Sequence, residues 1–220
     1  NPSKVKESTI IYNGTNKIYE TPRIYKSNKP LKIITCSVDH PTKRLHYFFE
    51  LEKMLKKNKI EFEITIITAP INYKQRVLAR MKNFKNYSFN SSKIIIKENL
   101  SKDEILSELI NSNLYISFSH IDPCPNSIIE AISVGLPIIA PTSGSMSELC
   151  LSDLLYKKEI PTDFIDLFNY ELINKNEINA CLNKIFNFID NKHIYYKNSF
   201  NYKDNFLLDK MIEDYVNFMS

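Results

Sequence analysis

Glycine is scarce in this chain, with three residues in 220, at positions 14, 135 and 144. There is no GxGxxG fingerprint, no Walker sequence and no HExxH, so dinucleotide-dehydrogenase, P-loop and zincin readings all lack their marks. The four cysteines, Cys36, Cys124, Cys150 and Cys181, show neither CxxC nor zinc-ligand spacing, and read as reduced thiols. Acidic residues are not grouped at ligand spacing, and His40, His46, His120 and His193 stand alone, so no metal site is expected. A GxSxG elbow is absent, which leaves a Ser/His/Asp triad without support. No apolar run approaches the roughly 20 residues that span a bilayer, and no signal-peptide pattern appears. The net charge of +4 is spread over scattered lysines with no dense basic block. That balance argues against nucleic acid as a partner and leaves a phosphorylated ligand open.

What remains is 43% hydrophobic and 25% charged, the profile of an ordinary soluble domain with a sizeable core. The first residue is Asn1 rather than Met, and the expectation is a piece of a longer protein. Residues 1–29 read as a connecting segment, with a short strand at Ser8–Tyr12, a turn at Asn13-Gly14 and a boundary near Lys29. Leu31–Cys36 starts the compact part as a buried strand. Thr42 is placed as the N-cap of a helix over Lys43–Lys57, whose apolar residues recur at helical spacing. Phe62–Thr68 predicts a second strand, Tyr73–Phe84 a second helix and Lys93–Lys97 a third strand. Ser101-x-x-Glu104 is a capping box opening a helix through Ile110. Leu114–Phe118 and Pro137–Ala140 predict further strands, and from Leu155 the pattern is mostly helical, over Asn176–Asp190 and Asp204–Met219. Strands alternating with helices predict an α/β fold, a Rossmann-like doubly wound parallel sheet with a helical C-terminal end.

The informative stretch is Ser119–Pro137, a loop and short helix between two strands. In open parallel sheets, ligands sit at the carboxyl ends of strands. Asp122 and Glu130 bracket that loop. Carboxylates there can accept hydrogen bonds from sugar or ribose hydroxyls, and a helix N-terminus near Pro125 and Asn126 offers backbone N–H groups to phosphate. Turn chemistry explains Asp122 as readily, and Ser127-x-x-Glu130 is equally a capping box. Lys43 and Arg44 begin the first predicted helix, where cations oppose the helix dipole, so one of them can reach a phosphate over the sheet edge or simply meet solvent. The Thr142–Ser147 loop offers Gly144, hydroxyls and Glu148, which completes a capping box with Ser145; a plain connection explains it equally well.

Asp122-x7-Glu130, followed by Ala131–Ala140 with its Gly135-Leu136-Pro137, resembles the signature of family 4 glycosyltransferases, retaining enzymes of the GT-B fold. Ser143-Gly144-Ser145-Met146-Ser147-Glu148 resembles the loop that ends this signature in Glu. Ile10–Gly14 is similar to the segment joining the two GT-B domains, Lys43 to the lysine of the first donor-domain helix, and Tyr202–Met219 to the C-terminal helix that crosses back. The resemblance implies that residues 30–200 form the donor-binding half of a GT-B enzyme, flanked by a joining segment at 1–29 and a crossing helix at 201–220. It implies retaining transfer from a UDP- or GDP-sugar to an unknown acceptor. Asp122 would face the donor sugar, Glu130 the ribose hydroxyls and Lys43 the diphosphate. Arg44, Pro125, Asn126, Ser127, Ile128, Gly144 and Glu148 would complete donor binding, with no metal or cofactor. Three departures stand out: Asp122 replaces the commoner Glu, Pro125 stands where Gly is frequent, and Val38 lies where an Arg is expected.

The implied partners are the nucleotide-sugar donor and an N-terminal acceptor domain, without which the fragment would be inactive. Membrane contact would come only through that missing part, placing the protein in the cytoplasm or peripherally at the inner membrane face. A GT-B sugar-nucleotide epimerase using the same cleft, and a noncatalytic α/β interaction domain, are the rival readings.

Overall fold

A computed structural model describes residues 13–15, 30–38, 40–69, 93–157 and 173–219. The predicted strand at Ser8–Tyr12, the boundary at Lys29 and the helix over Tyr73–Phe84 lie outside the described residues.

Strands β1 (Leu31–Cys36), β2 (Phe62–Thr68), β3 (Ile94–Glu98), β4 (Leu114–Ile116), β5 (Ile138–Pro141) and β6 (Leu155–Tyr156) form one sheet in the order β3-β2-β1-β4-β5-β6. Every pairing is parallel. The helices are α1 (Tyr47–Lys57), α2 (Lys102–Asn111), α3 (Asn126–Ser133), α4 (Met146–Leu149), α5 (Lys175–Tyr202) and α6 (Leu208–Met219).

Alternation along the strands divides the core in two. Leu31, Ile33, Leu114 and Ile116 point to the face covered by Phe48, Leu51 and Leu55 of α1 and by Ile178, Cys181 and Ile185 of α5. Ile34, Cys36, Tyr115 and Ile138 point to the opposite face, against Leu109 of α2 and Ile128, Ile129 and Ile132 of α3. Strands wetted on neither side must be apolar nearly throughout, which is why β1 and β2 read as continuous hydrophobic runs. Each fully buried Ile or Leu contributes about 1.5–3 kcal/mol by leaving water.

Several boundaries differ from expectation. Thr42 caps nothing: His40 is the N-cap of a 3-10 turn, Pro41–Lys43, and its imidazole Nδ1 accepts from the Thr42 N–H. Arg44 then adopts a left-handed conformation, φ 51°, which ends the turn and delays α1 to Tyr47. The helix expected over Asn176–Asp190 continues as α5 to Tyr202, interrupted only by non-helical backbone at Asn191. The two-residue strand β6 was invisible to periodicity, and the last helix starts at Leu208 after a 3-10 turn at Lys203–Phe206. No described helix is long and apolar enough to cross a membrane.

Candidate functional site

The order of the sheet fixes where a site can form. Numbering runs outward from β1 in one direction and from β4 in the other, so the connections leaving these adjacent strands go to opposite faces. The crevice left between such diverging connections, at the carboxyl ends of the two strands, is the topological switch point of a doubly wound sheet. Lys43 follows β1 and Asp122 follows β4. Their side chains meet, with Lys43 Nζ donating to Asp122 Oδ2.

Three backbone segments are pinned together beneath that pair. The His120 N–H donates to the Thr42 carbonyl at 2.7 Å, joining the Asp122 loop to the turn carrying Lys43. From the far side, the Ser145 N–H and hydroxyl both donate to the Asp122 carbonyl at 3.1 Å, and the Ser143 hydroxyl donates to the Ser119 carbonyl at 3.2 Å. Gly144 makes this clasp possible. Its φ is +59°, and a Cβ there would lie 2.4 Å from the Asp122 carbonyl oxygen. Asp122 is consequently only 8% exposed although it sits in a loop.

Neither predicted capping box of this region forms. Pro125, buried and extended, is the N-cap of α3, and no side chain caps that helix. Ser127 instead faces Tyr115, whose hydroxyl lies 3.1 Å from Ser127 Oγ and also accepts from the Cys36 N–H. Ser145 cannot cap α4, because its hydroxyl is committed to Asp122. Glu130 is therefore not a capping residue. It is half-buried and borders a cleft of about 520 Å³ lined also by Asn13, Gly14, Lys102, Asn126 and Met211. Burial pushes the Glu130 carboxyl above its ordinary range, and the Lys102 ammonium partly opposes the shift. A second hollow of about 260 Å³ runs on from it along Ile105, Leu106 and Leu109 of α2.

The remaining predicted residues divide. Asn126 is exposed at the first position of α3, where helix N–H groups have no intrahelical acceptor. Ile128 contributes its backbone to that turn while its side chain enters the core. Glu148 is exposed and outside the cleft lining; its carbonyl accepts from the Tyr202 hydroxyl. Arg44 does not reach the sheet edge beside Lys43, as the sequence had led us to expect. It is 8% exposed, donates to Glu177 Oε2 at 2.9 Å and stacks over the Tyr47 ring. Two contributors were not anticipated. Asn13 Nδ2 donates to Asn126 Oδ1 at 2.9 Å, and both residues line the cleft. Glu177 carries the only sequence hint, a charge one turn from Cys181 on an otherwise apolar helix face. Among the described residues, no group of three or more His, Cys, Asp or Glu could hold a metal ion.

A doubly wound parallel sheet with charged groups at its switch point defines a Rossmann-like domain, and solved structures give its type. The chain superposes on the GtfA/B complex with a TM-score of 0.69 at 15% identity, over 94% of this chain and 38% of that one. The pneumococcal O-GlcNAc transferase GtfA in complex with UDP and GlcNAc gives 0.57 at 15% identity, over 94% and 37%. The lipopolysaccharide outer core galactosyltransferase WaaB gives 0.64 at 15% identity, over 95% and 54%. The fold is thus that of GT-B glycosyltransferases, and this chain spans between about a third and just over half of the length of these neighbours. The profile of the family "Glycosyl transferases group 1" matches residues 19–181, most of the chain. The protein belongs to that family. Curated protein sequences give no match.

Proposed function

We propose that this domain binds the donor in retaining transfer of a sugar from a UDP- or GDP-sugar. The observation that carries the reading is the meeting of Lys43 and Asp122 at the switch point; Glu130 borders a cleft whose lining includes neither of them. A diphosphate arriving there would take Lys43 as its counter-ion in place of Asp122. The released carboxylate would then accept from hydroxyls of the sugar. Amides at the start of α3 would share the phosphate charge, and Glu130 would accept from the ribose hydroxyls. Negative charge grows on the diphosphate as the glycosidic bond breaks, so fixed cations and amides that favour it there lower the barrier without a metal. The structure of the pneumococcal neighbour, which holds UDP and GlcNAc, supports a nucleotide-sugar donor. In this reading α6, whose Ile212, Val216 and Phe218 are exposed, packs on an N-terminal acceptor domain, and the donor-binding domain alone does not turn over.

Calorimetry on the full-length protein with UDP, GDP and their sugars tests the proposal. Lys43→Ala and Glu130→Ala should each weaken nucleotide binding by about tenfold or more, the size of a lost charge-assisted hydrogen bond. Failure of the full-length protein to bind any of these nucleotides would overturn it.

A further inference from the structure

The backbone that presents Lys43 is unusual. The next residue, Arg44, sits at φ 51°, a left-handed conformation that glycine adopts freely and side-chain-bearing residues resist. Arg44 is also buried, and its guanidinium is fixed from two sides. Glu177, 3% exposed near the start of α5, accepts from Nη1 at 2.9 Å, and the Tyr47 ring lies beneath it with its centroid 5.2 Å away. Tyr47 is held in turn, its hydroxyl accepting from the Asn174 N–H at 3.0 Å, immediately before α5 begins. A charged residue in a strained conformation persists only where its surroundings over-determine it. Here α5, packed beside α1 on the same face of the sheet, does so.

We propose that the buried Arg44–Glu177 pair is a positioning device for Lys43: it holds residue 44 left-handed and so aims the lysine at the switch point. The inference rests on the donor-site reading, in which Lys43 meets the diphosphate. Arg44 and Glu177 touch no substrate and act only through the turn. Two consequences separate this role from general stability. A glycine at 44 should restore the turn without the ion pair, whereas alanine should not. The effect should also vanish when Lys43 is absent.

Because removing one partner leaves a buried charge, the informative variants change both. In the full-length protein, Arg44→Gly/Glu177→Gln should bind UDP or GDP as the wild type does. Arg44→Ala/Glu177→Gln should bind about tenfold more weakly, since only the φ preference at 44 separates the two. In a Lys43→Met background the two double variants should bind equally. Melting curves establish that each variant is folded before titration. Equal affinity of the Ala and Gly double variants for the same nucleotide, or a difference that persists without Lys43, would overturn the positioning role while leaving the donor site intact. A wild type that binds neither nucleotide removes the donor-site reading, and this inference with it.

Discussion

Glu130 is a carboxylate that burial sets against folding while it borders the cleft. Burial raises its pKa in the folded chain, so the native state favours the protonated form. The sign follows from linkage: the protonated carboxyl contributes stability below the unfolded pKa, and that contribution is lost as pH rises through the raised folded value. At neutral pH, ionised Glu130 is therefore a mild liability. Glu130→Gln should raise the melting temperature at pH 7 relative to wild type, with the difference closing as pH falls below the ordinary Glu range. The same substitution should weaken nucleotide binding by up to about tenfold, a trade of stability against function typical of sites. Paired melting curves at both pH values check the first part and calorimetry the second. In the sequence, Glu130 was balanced between cap and ligand, because Ser127-x-x-Glu130 fits a capping box. Pro125 removes the cap reading by taking the N-cap position itself. Arg44 misled for a related reason, since nothing in one sequence reveals that a cation is spent on a carboxylate 133 positions away.

At the scale of elements, three capping-box patterns meet two fates. Ser101-x-x-Glu104 forms reciprocally, the Glu104 carboxylate accepting from the Ser101 N–H at 2.7 Å. Ser127 and Ser145 fail because tertiary partners, Tyr115 and the Asp122 carbonyl, claim their hydroxyls first. Strands were legible to the residue where burial on both faces forces a continuous apolar run, as in Leu31–Cys36 and Phe62–Thr68. The two residues of β6 carry no period to read. The clasp around Asp122 gives a prediction at this scale. Gly144→Ala adds a backbone clash to a left-handed φ and should cost about 3 kcal/mol, with loss of donor binding. Gly135→Ala meets only ordinary contacts at 3.5 Å, so its φ of +66° alone should cost about 1–2 kcal/mol with binding retained. Thermal melts and titrations of the two variants side by side distinguish strain from site disruption.

For the whole molecule, alternation of strand and helix was enough to predict a doubly wound parallel sheet, and the family match and structural neighbours agree with that architecture. The strand order was not written in the sequence, because it depends on which connections cross which face. That order has a consequence in time. Ile33 of β1 pairs with Ile64 on one side but with Leu114 on the other. At a synthesis rate of about 5–20 residues per second, β4 leaves the ribosome roughly 4–16 s after β1. Once β3 has followed, in roughly the last 1–4 s of that interval, the β1–β2–β3 wing has its partners while the edge that β4 will occupy stays open, a surface that invites pairing with another chain. Half of the switch point, the turn bearing Lys43, thus exists before Asp122 has been made. Nascent chains stalled before β4 emerges should be protease-sensitive at β1 and prone to associate, and those stalled after β5 emerges should be protected.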